Sequence, residues 1–196
     1  MAGGTLTIAP RLAATIGGLA ANAGGLIDVR DGSITVVSGL SAADLVTAIV
    51  AGRADGSWTG TSGISSSVAA ADVASSIPRA VGWVDNGDGS VMAAYAAPGD
   101  TNVDQLIDVL DAGTFLSLGK FDTALPASWF EGDFNYDNLV DVLDAADFFG
   151  TGLYDTGVYN GGAAGIASVP EPTVPVSIIL VIAAHAAIAA RRPRRE

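Results

Sequence analysis

Cysteine is absent from the 196 residues, and histidine occurs once, at His185. These absences exclude disulfides, thiolate nucleophiles and cysteine zinc sites, and leave no histidine acid–base chemistry outside the carboxyl-terminal run. Basic residues are scarce as well. Nine Lys and Arg face 21 Asp and Glu, a formal net charge of -12, and four of the nine stand in the terminal RRPRRE. Between Arg53 and Ala190 only Arg79 and Lys120 are basic. So acidic a surface repels nucleic acid, and no nucleic-acid partner is expected. Aromatics are only 7% of the chain, and no aromatic platform for a sugar surrounds the acids, which argues against glycoside hydrolysis by paired carboxylates. No catalytic residue is assigned; Glu131 and Asp147 are acids left over from the pattern described next.

Aspartate is abundant and patterned. Twelve of the 21 acids lie between Asp100 and Asp155. The stretch GDTNVDQLIDVLDAGTFLSLGKFDT from Gly99 recurs 33 residues later as GDFNYDNLVDVLDAADFFGTGLYDT from Gly132. A fixed period with acids and apolar residues both in register marks a duplicated unit. Counting from Asp100 and from Asp133, the acids and asparagine fall at positions 1, 3, 5, 9 and 12, the spacing of a calcium loop. The predicted oxygen donors of loop one are Asp100, Asn102, Asp104, the Leu106 carbonyl, Asp108 and Asp111. Those of loop two are Asp133, Asn135, Asp137, the Leu139 carbonyl, Asp141 and Asp144. Ile107 and Val140 at position 8 are expected to anchor each loop to a core. Apolar residues at helical spacing follow, with Gly119 and Gly152 as stops. Position 6 calls for a left-handed residue and holds Gln105 and Asn138; asparagine tolerates that conformation better, so loop two is expected to be the more secure of two Ca2+ sites.

A calcium loop followed by one helix, repeated at this spacing with GDxNxDxxVDVLDAxxF in each half, resembles the dockerin domain over Gly99 to Thr156. The resemblance implies a small all-α, two-calcium module that docks onto a cohesin, often on behalf of a polysaccharide-degrading enzyme. Positions 10 and 11 help set partner choice in dockerins. Here they are Val109-Leu110 and Val142-Leu143, read as buried core, with a dual-orientation docking surface as the alternative.

Before the repeat, short β-prone runs alternate with glycine (TLTIA, LIDVRDGSITVVSG), and Asp31-Gly32 suits a hairpin or a turn between rungs. Ser41-Ala-Ala-Asp44 predicts a helix start with Leu45, Ile49 and Val50 on its apolar stripe. Asp55 to Ser67 reads as a loop and Val68 to Ile77 as a second short helix. Ala80–Val84 and Val91–Tyr95 flank DNGDGS as a hairpin. Residues 1–97 are thus expected to be a β-rich solenoid end or cap with short helices, resembling in composition autotransporter-like β-helical surface proteins. Met1 is followed by neither a basic n-region nor an apolar h-region, so the expectation is either the carboxyl-terminal piece of a longer exported protein or a misplaced start.

After the repeat (98–157), residues 158–168 read as a Gly/Ala linker, and 169–196 as a tripartite segment. Val169, Pro170, Glu171 and Pro172 precede an apolar run from Val174 to Ala190, about 26 Å long as a helix, and then Arg191, Arg192, Arg194 and Arg195. The run is expected to form one transmembrane helix with a cytoplasmic basic tail. This order resembles the PEP-CTERM sorting signal, which implies cleavage by an exosortase-type enzyme. The expected whole is mixed in fold, exported, membrane-anchored before processing, then held at the cell surface or in the extracellular matrix. Its expected role is non-catalytic, as a calcium-binding structural or interaction protein with a cohesin or an intramolecular partner. The alternative is the carboxyl-terminal part of a glycoside hydrolase docking to a cohesin.

Overall fold

The first four short strands alternate between two sheets. In the computed structural model the described residues are 3–19 and 24–161, which belong to one compact unit, Met1–Gly165. The strands are β1 (Thr5–Thr7), β2 (Ala13–Ile16), β3 (Leu26–Asp28), β4 (Ser33–Val36), β5 (Gly63–Ser65), β6 (Ala80–Asp85) and β7 (Val91–Ala96). They form a three-stranded sheet ordered β1-β3-β5 and a four-stranded sheet ordered β2-β4-β7-β6. The first sheet is parallel, and β2 pairs parallel with β4. The second sheet is completed by the predicted hairpin, β6 with β7, and β7 runs antiparallel to β4. Asp31-Gly32 makes no hairpin: the strands it joins, β3 and β4, lie in different sheets.

Helix α1 (Ala42–Arg53) starts where the sequence places it, with the Ser41 hydroxyl accepting from the Asp44 amide at 3.1 Å. Leu45 and Ile49 are buried, while Val50 is exposed. Helix α2 (Ser67–Ala74) is capped by Ser66, whose hydroxyl accepts from the Ala69 amide and donates to the Arg30 carbonyl. Two nine-residue helices follow, α3 (Val109–Ser117) and α4 (Val142–Gly150), separated by a 3₁₀ turn at Trp129–Glu131.

Two fold expectations are corrected. The described residues up to 97 form no closed solenoid: β5 still joins β3 in parallel after α1, but no further parallel strand follows, and the antiparallel β6–β7 hairpin takes the free side of β4. Nor are the loop–helix units an independent all-α pair. They share one core with the sheets in a mixed α/β unit. Trp129, fully buried, is the pin. At Gly82 in β6 an added Cβ would fall 2.6 Å from its indole, so only glycine lets the ring lie there. Its Nε1–H donates to the Asp100 carbonyl at 2.7 Å. Tyr136, at position 4 of loop two, donates its hydroxyl to the Val81 carbonyl. No helix of the described residues is long and apolar enough to cross a membrane. The expected span 174–190, the motif at 169–172 and the basic tail lie outside the described residues.

Candidate metal centre

The two loops fold alike, with the same hydrogen bonds at positions 1, 3, 5 and 9. At position 1, Asp100 accepts from the amides of Asp104 (3.1 Å) and Gln105 (2.9 Å), and Asp133 from those of Asp137 (3.1 Å) and Asn138 (2.9 Å). At position 3, Asn102 and Asn135 accept from the position 5 amide. At position 5, Asp104 and Asp137 accept from the amides of Leu106 and Leu139. These bonds curl each loop so tightly that positions 4 and 6 are left-handed in both. Val103 and Tyr136 have φ of 60° and 63°, and Gln105 and Asn138 have 74° and 71°. For a β-branched valine this is a costly conformation, held only because the rest of the loop dictates it.

Positions 9 and 12 do double duty as helix caps. The Asp108 and Asp141 side chains accept from the amides of Leu110 and Leu143, each at 2.7 Å. Asp111 and Asp144 accept in return from the amides of Asp108 and Asp141, each at 2.9 Å. That reciprocal box starts α3 and α4 at position 10, two residues before the loop's last donor rather than after it. Asp111 also accepts from the Thr101 amide and hydroxyl, and Asp144 from the amides of Phe134 and Asn135.

The units are joined by an approximate twofold exchange. The Asp122 amide donates to the Val140 carbonyl and the Asp155 amide to the Ile107 carbonyl, both at 2.8 Å. Both position 8 residues are buried as anchors. Gly99 lies against Phe148 and Ile107, and its counterpart Gly132 against Phe115 and Val140. At φ of 104° and 113° a Cβ would stand 2.9 and 2.6 Å from those phenyl rings.

Electrostatically the loops are not at rest. Asp100 is fully buried and Asp133 nearly so. Burial pushes both carboxyls up to about 7, against their loop hydrogen bonds, and neighbouring carboxylates push the same way: Asp111 and Asp104 on one, Asp144 and Asp137 on the other. Burial also raises Asp144. Among the described residues neither Asp100 nor Asp133 is paired with a cationic side chain; the ion pairs are Arg11 with Asp31 and Lys120 with Glu131. No three His, Cys, Asp or Glu side chains of the described residues form a close cluster. In each loop the predicted donor set intersperses an amide and a backbone carbonyl oxygen among the acids. The carboxylates at positions 1 and 12 are buried and the other donors more open, and oxygen donors of this kind suit a hard divalent cation such as calcium.

Glu131, one of the leftover acids, is engaged structurally: it accepts from the Ser128 amide and hydroxyl and pairs with Lys120 at 3.4 Å. Positions 10 and 11 are not core. Val109, Leu110, Val142 and Leu143 are between 58% and 70% exposed, and so, 33 residues apart, are Leu116 and Phe149 at 72% and 74%. Both helices thus present the same apolar residues to solvent.

Sequence reasoning missed Tyr159 and Asn160, which fall in the stretch read as linker. Tyr159 packs on loop one, its amide donating to the Gln105 carbonyl at 3.1 Å, and Asn160 donates to the Asp31 carbonyl at 2.8 Å. The one available signal was an aromatic and an amide inside a Gly/Ala-rich segment. No protein-family model, no curated protein and no solved structure matches this chain.

Proposed function

We propose that this chain is a non-catalytic, calcium-stabilised interaction module of an exported, surface-associated protein. The observation that carries the reading is the pair of buried aspartates, Asp100 and Asp133, each set among further carboxylates with no cationic partner among the described residues. In loop one Asp100, Asn102, Asp104, the Leu106 carbonyl, Asp108 and Asp111 would hold the ion. In loop two Asp133, Asn135, Asp137, the Leu139 carbonyl, Asp141 and Asp144 would. Calcium supplies the positive charge that offsets repulsion among these acids, so its binding adds directly to folding free energy. The sequence order of Val169-Pro-Glu-Pro172, apolar run and arginine cluster supports sorting by an exosortase-type enzyme, with the membrane engaged before processing.

A docking role is favoured by a separate observation, the exposed and duplicated apolar residues at the starts of α3 and α4. A face of this kind supports contact with a cohesin-like partner, which is where a polysaccharide-degrading enzyme upstream would find its use.

Calcium titration followed by circular dichroism and thermal melting tests the reading. Each site at a free calcium concentration a hundredfold above its Kd adds about 2.7 kcal/mol, so two sites give about 5 kcal/mol and a clear rise in Tm that a chelator abolishes. Melting unaltered by calcium or chelator would overturn it.

A further inference from the structure

The repeat shares the amide donors to its position 1, 3 and 5 side chains, but position 1 differs in one contact from outside the loops. Asp100 receives a third donor that Asp133 lacks: the Tyr159 hydroxyl, 2.6 Å from Asp100 Oδ2. Its structural counterpart is Ala127, whose amide donates to the Asn138 carbonyl at 3.1 Å as that of Tyr159 does to Gln105, and alanine has no hydroxyl to offer loop two. The direction of this bond is forced. The Ala97 amide donates to the Tyr159 oxygen at 3.0 Å, so the single hydroxyl proton points to the carboxylate. The ring is fixed from the side as well, with the Arg79 guanidinium 5.2 Å from its centroid. Arg79 is itself tied through the Tyr95 hydroxyl to Asp72, so the clamp reaches α2.

Resting on the calcium reading above, we infer that Tyr159 is a positioning residue for the loop-one cation. It orients the carboxylate of Asp100 from outside the repeat. With the Gln105 amide and the Tyr159 hydroxyl both on Oδ2, that oxygen is saturated, and Oδ1, which accepts only the Asp104 amide, keeps a lone pair free for a cation. Outer hydrogen bonds that hold a ligand in orientation are worth ten- to a hundredfold in metal affinity. Loop one needs this support more than loop two, since it places glutamine rather than asparagine at the left-handed position 6. The clamp also couples the loop-one ligand itself to the sheets: Ala97 directly follows β7, and Trp129, seated on β6, holds the Asp100 carbonyl.

Calorimetric titration of the intact chain with calcium chloride tests this, comparing wild type, Tyr159→Phe and Tyr136→Phe. Each variant removes one hydroxyl that ties a loop to the β6–β7 region, and only Tyr159 touches a predicted ligand. The expected result is that Tyr159→Phe weakens one of two calcium steps about ten- to a hundredfold and leaves the other, while Tyr136→Phe changes neither. In an Asp133→Asn background the single remaining step should weaken by the same factor; if that variant does not fold, the comparison in the intact background still decides. Two unchanged steps in Tyr159→Phe, or an equal loss in Tyr136→Phe, would overturn the inference and leave the calcium reading standing. A wild type that takes up no calcium would overturn both.

Discussion

Loops one and two share spacing, backbone curvature and caps, yet they stand in different surroundings. Asp100 is enclosed on all sides, by the indole of Trp129 across its carbonyl and by Tyr159 across its carboxylate. Asp133 instead borders a cavity of about 430 Å³ that Val46 of α1, Trp83, Ala127 and Tyr136 also line. The difference shows that a duplicated sequence fixes the ligand set of a site but not its support, which comes from whatever each copy is packed against.

The sharpest way to break the comparison is to remove one position 1 aspartate at a time. Asp100→Ala and Asp133→Ala should each cancel the stabilisation from one site, about 2.7 kcal/mol at a hundredfold excess of calcium over Kd, measured by urea denaturation. Without calcium the same changes remove a buried carboxyl whose charged form is opposed by burial and by neighbouring carboxylates, so their cost should shrink or change sign. The pH profile of the metal-free protein probes the same charges. Both carboxyls titrate near 7 folded and near 3.8 unfolded, so their contribution is fully present below 3.8 and lost as pH rises through about 7. Metal-free Tm should therefore fall from about pH 4 to pH 7, and calcium should remove that fall; a metal-free Tm that climbs over this window would contradict the assignment.

Gly99→Ala and Gly132→Ala test how far the symmetry goes in packing. Each puts a Cβ against the opposite helix's phenylalanine at positive φ, and each should cost about 1–3 kcal/mol in calcium-loaded protein. Unequal losses would place the real asymmetry in the core rather than at Tyr159. The smallest effect on stability is expected from Leu110→Asp with Leu143→Asp. Exposed as these residues are, the change should stay within about 0.5 kcal/mol in a thermal melt, while abolishing any partner bound through the two helix starts.

The parts of the molecule governed by short-range rules were legible in the sequence. Ser41 and Asp44 mark the start of α1, the DNGDGS turn marks the β6–β7 hairpin, and acids at fixed spacing outline the loops. Strand β5, three residues long, was submerged in a Gly/Ser-rich loop, and the parallel pairing of β1 with β3 and of β2 with β4 mimicked a longer stack that the antiparallel β6–β7 hairpin ends beside β4. Val109-Leu110 and Val142-Leu143 were misread because a nine-residue helix has one buried turn. In α3 that turn is filled by Asp111 and Phe115, in α4 by Asp144 and Phe148, which leaves the first two apolar positions facing water. Tyr159 was beyond reach for a different reason: its partner lies 59 residues away, and no periodicity encodes a single long-range hydroxyl contact.

The exchange of backbone bonds between the two units, Asp122 to Val140 and Asp155 to Ile107, has the form of an isologous interface folded into one polypeptide. Each half offers two amides and two carbonyls to its mate, since Ala127 also donates to Asn138 and Tyr159 to Gln105, and the same groups would satisfy another copy of itself. A chain cut between the halves therefore exposes a self-complementary surface, and two such fragments can rebuild between molecules the clasp that the intact chain closes within one.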